Sequence, residues 1–315
     1  MIRAFIFIFS VGCFFTTSIS AQAKTLKVIA TIKPLYALVA SVMGDKGHLD
    51  LMVKGGLDPH IYNLKPSNIR QIHDSDVIFY IGPDLEVFLK RILKRTYRNF
   101  TAVPLASQKG IYLIPARTSK IWYRDENTDQ DDDKNNLQDL HIWLDPANAR
   151  RMVRIIEETL SALDPAGSLT YIQNAGKTIA RLYRMEEDIR EKLRPLRQQP
   201  MIVYHDAFQY FEKAFGLKSV GAIVLRPDQI PSVKHIRTLK KLARENNVTC
   251  VLGMPGAHPR IATVVMSGTN AGFDVVDPLG LYIDKGPDLY FELMAEMARS
   301  IINCQDKYDM FEDFK

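Results

Sequence analysis

Four side chains able to bind a metal ion have similar surroundings in this 315-residue sequence. They are His60 in "GGLDPHIYNLKP", His141 in "LHIWLDP", His205 in "VYHDAF" and Asp277 in "VVDPLG". Each follows the predicted C-terminal end of a strand, just before a helix or turn. In open α/β sheets, ligands bind at this edge of the strands. If two lobes face each other and contribute two groups each, all four can converge in the cleft.

Three imidazoles and a carboxylate form a borderline-soft set of ligands. Zn²⁺ binds histidine nitrogen at about 2.0–2.1 Å and carboxylate oxygen at about 2.0–2.2 Å, usually as a tetrahedron. Mn²⁺ prefers more oxygen, and copper would bind this set more tightly on intrinsic affinity alone. The ligand types therefore favour zinc. The spacing itself carries no local signature such as an HExxH helix, and any one histidine is more often a cap or a surface residue than a ligand.

The remaining histidines of the sequence have different surroundings. His73 and His235 fall within helical patterns, and His48 follows a turn, so we expect structural or solvent-exposed roles for these three. His258, after "GMPGA", also follows a predicted strand end. It is therefore the reserve candidate for a metal site.

The elements that must position these residues alternate between strands and helices. Apolar, β-rich runs such as "TLKVIA" and "DVIFYIG" are followed by helical patterns, and the same order restarts at residue 201 with "MIVYHD". This alternation predicts parallel sheets covered by helices. We expect an α/β fold with two lobes, residues 24–165 and residues 197–315.

A long helix is predicted between the two lobes. Residues 168–196 carry apolar side chains at helical spacing, with no proline before Pro195. A helix of about 27 residues would be about 40 Å long, enough to run along both lobes. We therefore assign residues 166–196 to a stiff connector, which would limit closure of the lobes compared with a flexible hinge.

Composition leaves room for two domains and argues against a nucleic-acid-binding protein. The sequence is 46% hydrophobic, which at this length allows each domain its own core. The net charge of +5 is mild, and the basic residues form no dense stripe with interleaved aromatics. Residues 125–139, "DENTDQDDDKNNLQD", are nearly free of apolar side chains, which predicts a mobile solvated loop. Collection of cations by this loop is a weaker alternative.

The first 23 residues have the features of an export signal. Arg3 supplies a positive charge, "AFIFIFSVGCFF" is an apolar run, and Ala21–Ala23 form an A-x-A cleavage site. The apolar run is too short to span a membrane. We expect a mature periplasmic chain that starts near Lys24. A lipoprotein attached through Cys13 is the alternative, disfavoured because Ser10 stands where such signals usually have leucine.

Cleavage at that site would leave two cysteines, Cys250 and Cys304. In an exported protein an even pair of cysteines favours a disulfide. A bond closing a loop of this length would stabilise the fold by about 4 kcal/mol through chain entropy. The alternative is a pair of buried thiols, which an oxidising compartment disfavours.

Taken together, these motifs resemble one known family. "GGLDPHIYNLKPSNIRQIHDSDVIFYIG", "HIWLDP", "VYHDAFQYF" and "VDPLG" closely resemble the zinc-binding, ZnuA-like subunits of bacterial metal ABC importers, within the cluster A-I periplasmic metal-binding proteins. The resemblance covers nearly the whole mature chain, including the long helix and the cysteine pair, which is similar to the disulfide of the zinc-binding members. It implies a monomeric solute-binding protein, not an enzyme, that carries Zn²⁺ between two lobes and docks on a membrane permease.

The resemblance also implies a role for each candidate ligand. His60, His141 and His205 match the three histidines of the family, and Asp277 matches its acidic ligand. Manganese-binding relatives tend to carry a glutamate at the third histidine position, so a histidine there favours zinc.

The sequence departs from the family pattern at three places. Residues 125–139 lack the histidines that many zinc-binding members carry there, and Pro59 stands where some have an acidic extra ligand. Met254-Pro255 stands where relatives often have a Glu-Pro pair. Without the extra acidic ligand, Asp277 or a water must complete the site.

Other functions remain open at this point. The first is a manganese- or iron-binding protein with the same fold. The second is a secreted zinc hydrolase with three histidines and a bound water, which needs a general base in the cleft. Asp206 is the obvious neighbour for that role, although it is more simply a helix cap or a partner of a ligand histidine. A host-surface adhesin is a third possibility, for which the sequence offers no feature.

Overall fold

The computed structural model describes residues 25–54, 57–95, 100–117, 119–122, 137–224 and 229–312. The predicted export signal, with Cys13 and Lys24, and residues 125–136 of the acidic stretch lie outside these ranges. Among the described residues, none of the helices combines the length and the apolar character needed to cross a membrane.

Two parallel sheets form the centres of the two lobes. The strands are Leu26–Ala30 (β1), Gly47–Leu51 (β2), Val77–Tyr80 (β3), Thr101–Pro104 (β4), Ile114–Pro115 (β5), Gln138–Asp139 (β6), Pro200–His205 (β7), Lys218–Val224 (β8), Cys250–Gly253 (β9) and Gly272–Val275 (β10). The first sheet has the order β2-β1-β3-β4 and the second the order β10-β9-β7-β8, and neighbouring strands within each are parallel. A separate antiparallel pair joins β5 to β6. The predicted α/β fold with two parallel sheets is confirmed.

One long helix runs along both lobes. The helices are Lys33–Met43 (α1), Pro66–His73 (α2), Leu89–Arg95 (α3), Pro146–Leu163 (α4), Ser168–Leu193 (α5), Gln209–Phe215 (α6), Val233–Glu245 (α7), Pro259–Met266 (α8) and Leu289–Glu312 (α9). The 26 residues of α5 give a length of about 39 Å. It packs against α1 and α4 of the first lobe and against α6 and α9 of the second. The predicted long connecting helix is therefore present.

The largest apolar core is shared by the two lobes. Each lobe has a cluster of its own, around Ile29 and Phe100 in the first and around Ile223 and Val251 in the second. The largest cluster, however, contains side chains of both sheets and of α1, α4, α5 and α9. These four helices bury apolar side chains towards both lobes, so our expectation of a wholly separate core in each was too simple.

A disulfide fixes the last helix to the second sheet. Cys250 at the start of β9 is bonded to Cys304 in α9, 54 residues away in the sequence. Both residues are fully buried. The predicted pairing is confirmed, and it anchors α9 against the centre of the second lobe.

Hydrogen bonds join the two lobes at the carboxyl ends of their strands. Lys33, which follows β1, donates from Nζ to the carbonyl oxygens of Leu281 at 3.0 Å and Ile283 at 2.5 Å, beyond the end of β10. Trp143 donates from Nε1 to the carbonyl oxygen of Pro278 at 2.9 Å. The carboxyl edges of the two sheets therefore face each other across a cleft, as the proposed convergence of ligands requires.

Candidate metal centre

Three histidines lie together between the two lobes. The ring centroid of His60 lies 5.5 Å from that of His141 and 5.7 Å from that of His205. The centroids of His141 and His205 are 5.2 Å apart. Each ring can offer one nitrogen such that the three atoms lie within 4.8 Å of one another. Within the described part of the chain, no other group of three or more His, Cys, Asp or Glu residues has such a spacing.

The three imidazoles lie on three different segments of the chain. His60 lies in the loop between β2 and α2, where its backbone N–H donates to Oδ1 of Asp58 at 2.8 Å. His141 comes two residues after Asp139, the last residue of β6, and His205 is the last residue of β7. His141 is 8% exposed and His205 is 4% exposed. Two rings therefore come from the first lobe and one from the second, and water has little access to two of them.

The spacing of two of the nitrogens matches tetrahedral zinc. Nε2 of His141 lies 3.4 Å from Nε2 of His205. Two nitrogens bonded to one tetrahedral Zn²⁺ at their usual distance are about 3.3 Å apart. These two imidazoles are thus already at the separation that a shared ion requires.

Asp139 orients the His141 ring. Its Oδ1 accepts the backbone N–H of His141 at 2.9 Å and lies 2.7 Å from ring Nδ1, while Oδ2 accepts from Nε2 of Gln209 at 3.2 Å. A carboxylate that accepts from Nδ1–H leaves Nε2 free to bind a metal and makes that nitrogen more basic. Asp139 is 5% exposed, so our prediction that it ends a solvated loop was wrong. The pairing of β5 with β6 carries it inward to His141.

A buried charged cluster lies behind His141 and His205. Asp206 accepts from Nη1 of Arg117 at 3.0 Å, and Glu212 accepts from Nη2 of the same guanidinium. Burial raises the pKa of Asp206 to about 7, since a charged carboxylate is poorly solvated there. The nearby Asp139 and Glu212 carboxylates also raise this pKa, whereas Arg117 lowers it.

Sequence reasoning found only part of this cluster. Asp206 is not the predicted helix cap, because α6 begins after Phe208 and has no side-chain cap. Instead it contacts Arg117, and it directly follows a candidate ligand. Arg117 and Glu212 carried no signal in the sequence, whereas Asp139 could have been found from its place two residues before His141.

Asp277 lies in the cleft but apart from the three imidazoles. Its Oδ1 accepts the backbone N–H groups of Leu279 at 2.9 Å and Gly280 at 3.0 Å, and its Oδ2 accepts that of Leu281. Both oxygens therefore stabilise the turn after β10, and Asp277 is not in the group that can hold a metal. It lines the cleft together with Lys33.

The four other histidines lie outside the metal-binding group. His258, the reserve candidate, is exposed and caps α8, where its Nδ1 accepts the backbone N–H of Arg260 at 3.3 Å. His235 is buried in α7, and His48 and His73 are exposed. The cleft between the lobes is therefore the site that the geometry favours.

Comparison with known proteins agrees with this geometry. The family model for the periplasmic zinc-uptake complex component A, ZnuA, matches residues 28–304, which include all three histidines. The chain belongs to this family. It is 32% identical over 313 residues to the high-affinity zinc uptake system protein ZnuA of Brucella suis, covering 89% of this chain and 92% of that protein.

Solved structures show the fold of the ZnuA family in this chain. A crystal structure of ZnuA superimposes with a TM-score of 0.75 at 24% identity, covering 89% of this chain and 99% of that one. A ZnuA deletion mutant with zinc bound gives a TM-score of 0.73 at 24% identity, with 89% and 98% covered. The two lobes and the long helix are thus the architecture of this family.

Proposed function

We propose that this protein captures Zn²⁺ between its two lobes in the periplasm and delivers it to the permease of an ABC importer. The convergence of His60, His141 and His205 on one point in the cleft carries the proposal. Membership of the ZnuA family supports it, as do the names of the relatives. The protein acts by binding and delivery, and its cargo is the metal ion.

The three imidazoles are the proposed protein ligands. Each binds zinc as a neutral ring, and Asp139 keeps His141 in the tautomer that presents Nε2. Asp277 can serve as the fourth ligand through Oδ2, which accepts the N–H of Leu281 and keeps a second lone pair for a metal ion. Otherwise a water molecule takes the fourth position, and Asp277 shapes the cleft.

The charges around the site suit a divalent cation. Asp139, Asp206 and Glu212 place three buried carboxyl groups behind the rings, and Arg117 is the cation that contacts two of them. A net negative environment of low polarity attracts Zn²⁺ more strongly than the same charges would in water. The same contacts argue against the hydrolase alternative, because Asp206 is bound to Arg117 and not presented to the cleft as a base.

Metal stoichiometry tests the proposed function. The purified protein is expected to bind one Zn²⁺ per chain in native mass spectrometry, and zinc at equal concentration is expected to displace Mn²⁺, because imidazoles suit zinc better than manganese. Retention of Mn²⁺ against equimolar zinc would instead identify a manganese-binding member. Failure to retain either metal would contradict the proposed function.

A further inference from the structure

We propose that Arg117 is a positioning residue that holds the two lobes together directly behind the metal site and thereby slows release of the bound ion. This inference rests on the proposed function, since it concerns exchange of the metal held by the three histidines. It adds a residue that touches neither the ion nor a ligand ring.

The guanidinium of Arg117 joins the first lobe to the second. Arg117 follows β5 of the first lobe. Its two partners belong to the second lobe, where Asp206 follows β7 and Glu212 lies in α6. The side chains of the three residues are 19%, 4% and 6% exposed, respectively. Hydrogen bonds between charged partners are stronger than neutral ones. Removal of Arg117 would leave the buried carboxylates of Asp206 and Glu212 without their cation, which is strongly unfavourable.

An aromatic ring covers the guanidinium plane. The central carbon of the Arg117 guanidinium lies 3.8 Å from the ring centroid of Trp122. Such stacking uses the flat, delocalised guanidinium, and lysine offers neither the plane nor the two-pronged hydrogen bonding. Arg117 is therefore held in one orientation, with its donors directed at the second lobe.

The contact of Arg117 with Asp206 and Glu212, called the tether below, acts on the same elements that carry the proposed ligands. The β5–β6 pair that precedes His141 also contacts α6, where the Tyr210 hydroxyl donates to the carbonyl oxygen of Asp139 at 2.8 Å and accepts the backbone N–H of Ile114 at 3.0 Å. Asp206, one of the two partners of Arg117, directly follows His205. Separation of His141 from His205 thus pulls on the contacts that Arg117 makes with the second lobe.

Two effects of removing Arg117 have opposite signs. Loss of a positive charge near a divalent cation would by itself strengthen metal binding and slow release. Loss of the tether would let the lobes part more readily and so speed release. We expect the tether to dominate, because the guanidinium bonds directly to both carboxylates of the second lobe, whereas it acts on the ion only from behind the ligand rings.

The test compares zinc dissociation rates in three variants of the full chain. Arg117→Gln removes the charge and the two-pronged contact, and Arg117→Lys keeps the charge alone. Arg150→Gln is the matched control. Arg150 is also partly buried, forms an ion pair with Glu186 and stacks on the Tyr183 ring at 4.0 Å, but it connects α4 to α5 and not one lobe to the other at the metal site. Release is followed after mixing zinc-loaded protein with excess chelator, and thermal unfolding of the metal-free protein is recorded in parallel.

The expected dissociation rate is at least about tenfold higher in Arg117→Gln, because both charged hydrogen bonds to the second lobe are lost. Arg117→Lys is expected to give a smaller increase, and Arg150→Gln a rate within about twofold of the original. An unchanged or slower rate in Arg117→Gln would overturn the inference. If that variant does not fold, an unchanged rate in Arg117→Lys overturns it instead. An original protein that binds no zinc would refute the proposed function itself, whereas zinc binding with unchanged variant rates would refute only the role of Arg117.

Discussion

Replacement of His205 with alanine is expected to weaken zinc binding by on the order of a thousandfold. Zinc sites in proteins bind with apparent free energies of about 10–16 kcal/mol, shared among their ligands. Loss of one of three nitrogen ligands therefore costs about 4 kcal/mol, which is about three orders of magnitude in the dissociation constant. His205 is 4% exposed, so few other groups can reach the vacated position.

The measurement is a competition titration against a chelator of known affinity, with His235→Ala as the control. His235 is also buried in the second lobe, but its Nε2 lies 2.8 Å from the carbonyl oxygen of Ala222, outside the metal-binding group. The control is expected to lose stability and to keep its zinc affinity. Equal affinities of His205→Ala and the unmodified protein would place the zinc elsewhere.

Zinc affinity is expected to fall by at least about tenfold between pH 7 and pH 5. Each imidazole must be neutral to bind the ion. Acidification therefore places protons in competition with zinc at three nitrogens, and affinity decreases as pH decreases.

Isothermal titration at pH 7, 6 and 5 checks this dependence. His258→Ala provides the comparison, because its exposed ring caps α8 and lies outside the metal-binding group, so its slope is expected to match that of the unmodified protein. An affinity that stays constant over this range would mean that imidazoles are not the ligands.

Much of the architecture could be predicted because it depends on local patterns. Strand and helix alternation specified two parallel sheets, since each apolar run is short and is followed by a helical period. The connecting helix was predicted to reach residue 196, but α5 ends at Leu193 and a short 3₁₀ turn follows. Pro195 has no backbone N–H to continue the α-helical hydrogen bonds, and Arg194 before it donates to the carbonyl oxygen of Glu191 three residues back, which explains the earlier end.

The charged cluster could not be predicted because its members meet only in three dimensions. Arg117 is separated from Asp206 by 89 residues and from Glu212 by 95. No periodicity or motif relates an arginine after a two-residue strand to carboxylates at the end of another sheet. Asp139 was missed for a different reason: it closes an acidic run whose composition is typical of a solvated loop, although its place two residues before His141 was a usable signal.

Asp277 illustrates a competition that residue type alone does not decide. An aspartate in a turn can accept the N–H groups of the residues that follow it, or it can bind a metal. In this structure three backbone N–H groups of the turn contact its two oxygens. The sequence identified a carboxylate in the correct cleft, but its hydrogen-bond partners depend on the path of the backbone after β10.

Anomalous diffraction at the zinc absorption edge, from crystals of the zinc-loaded protein, tests the central claim most directly. We expect one strong peak at about 2.0–2.1 Å from a ring nitrogen of each of His60, His141 and His205. A peak at any other position, or none within the cleft, would contradict the account.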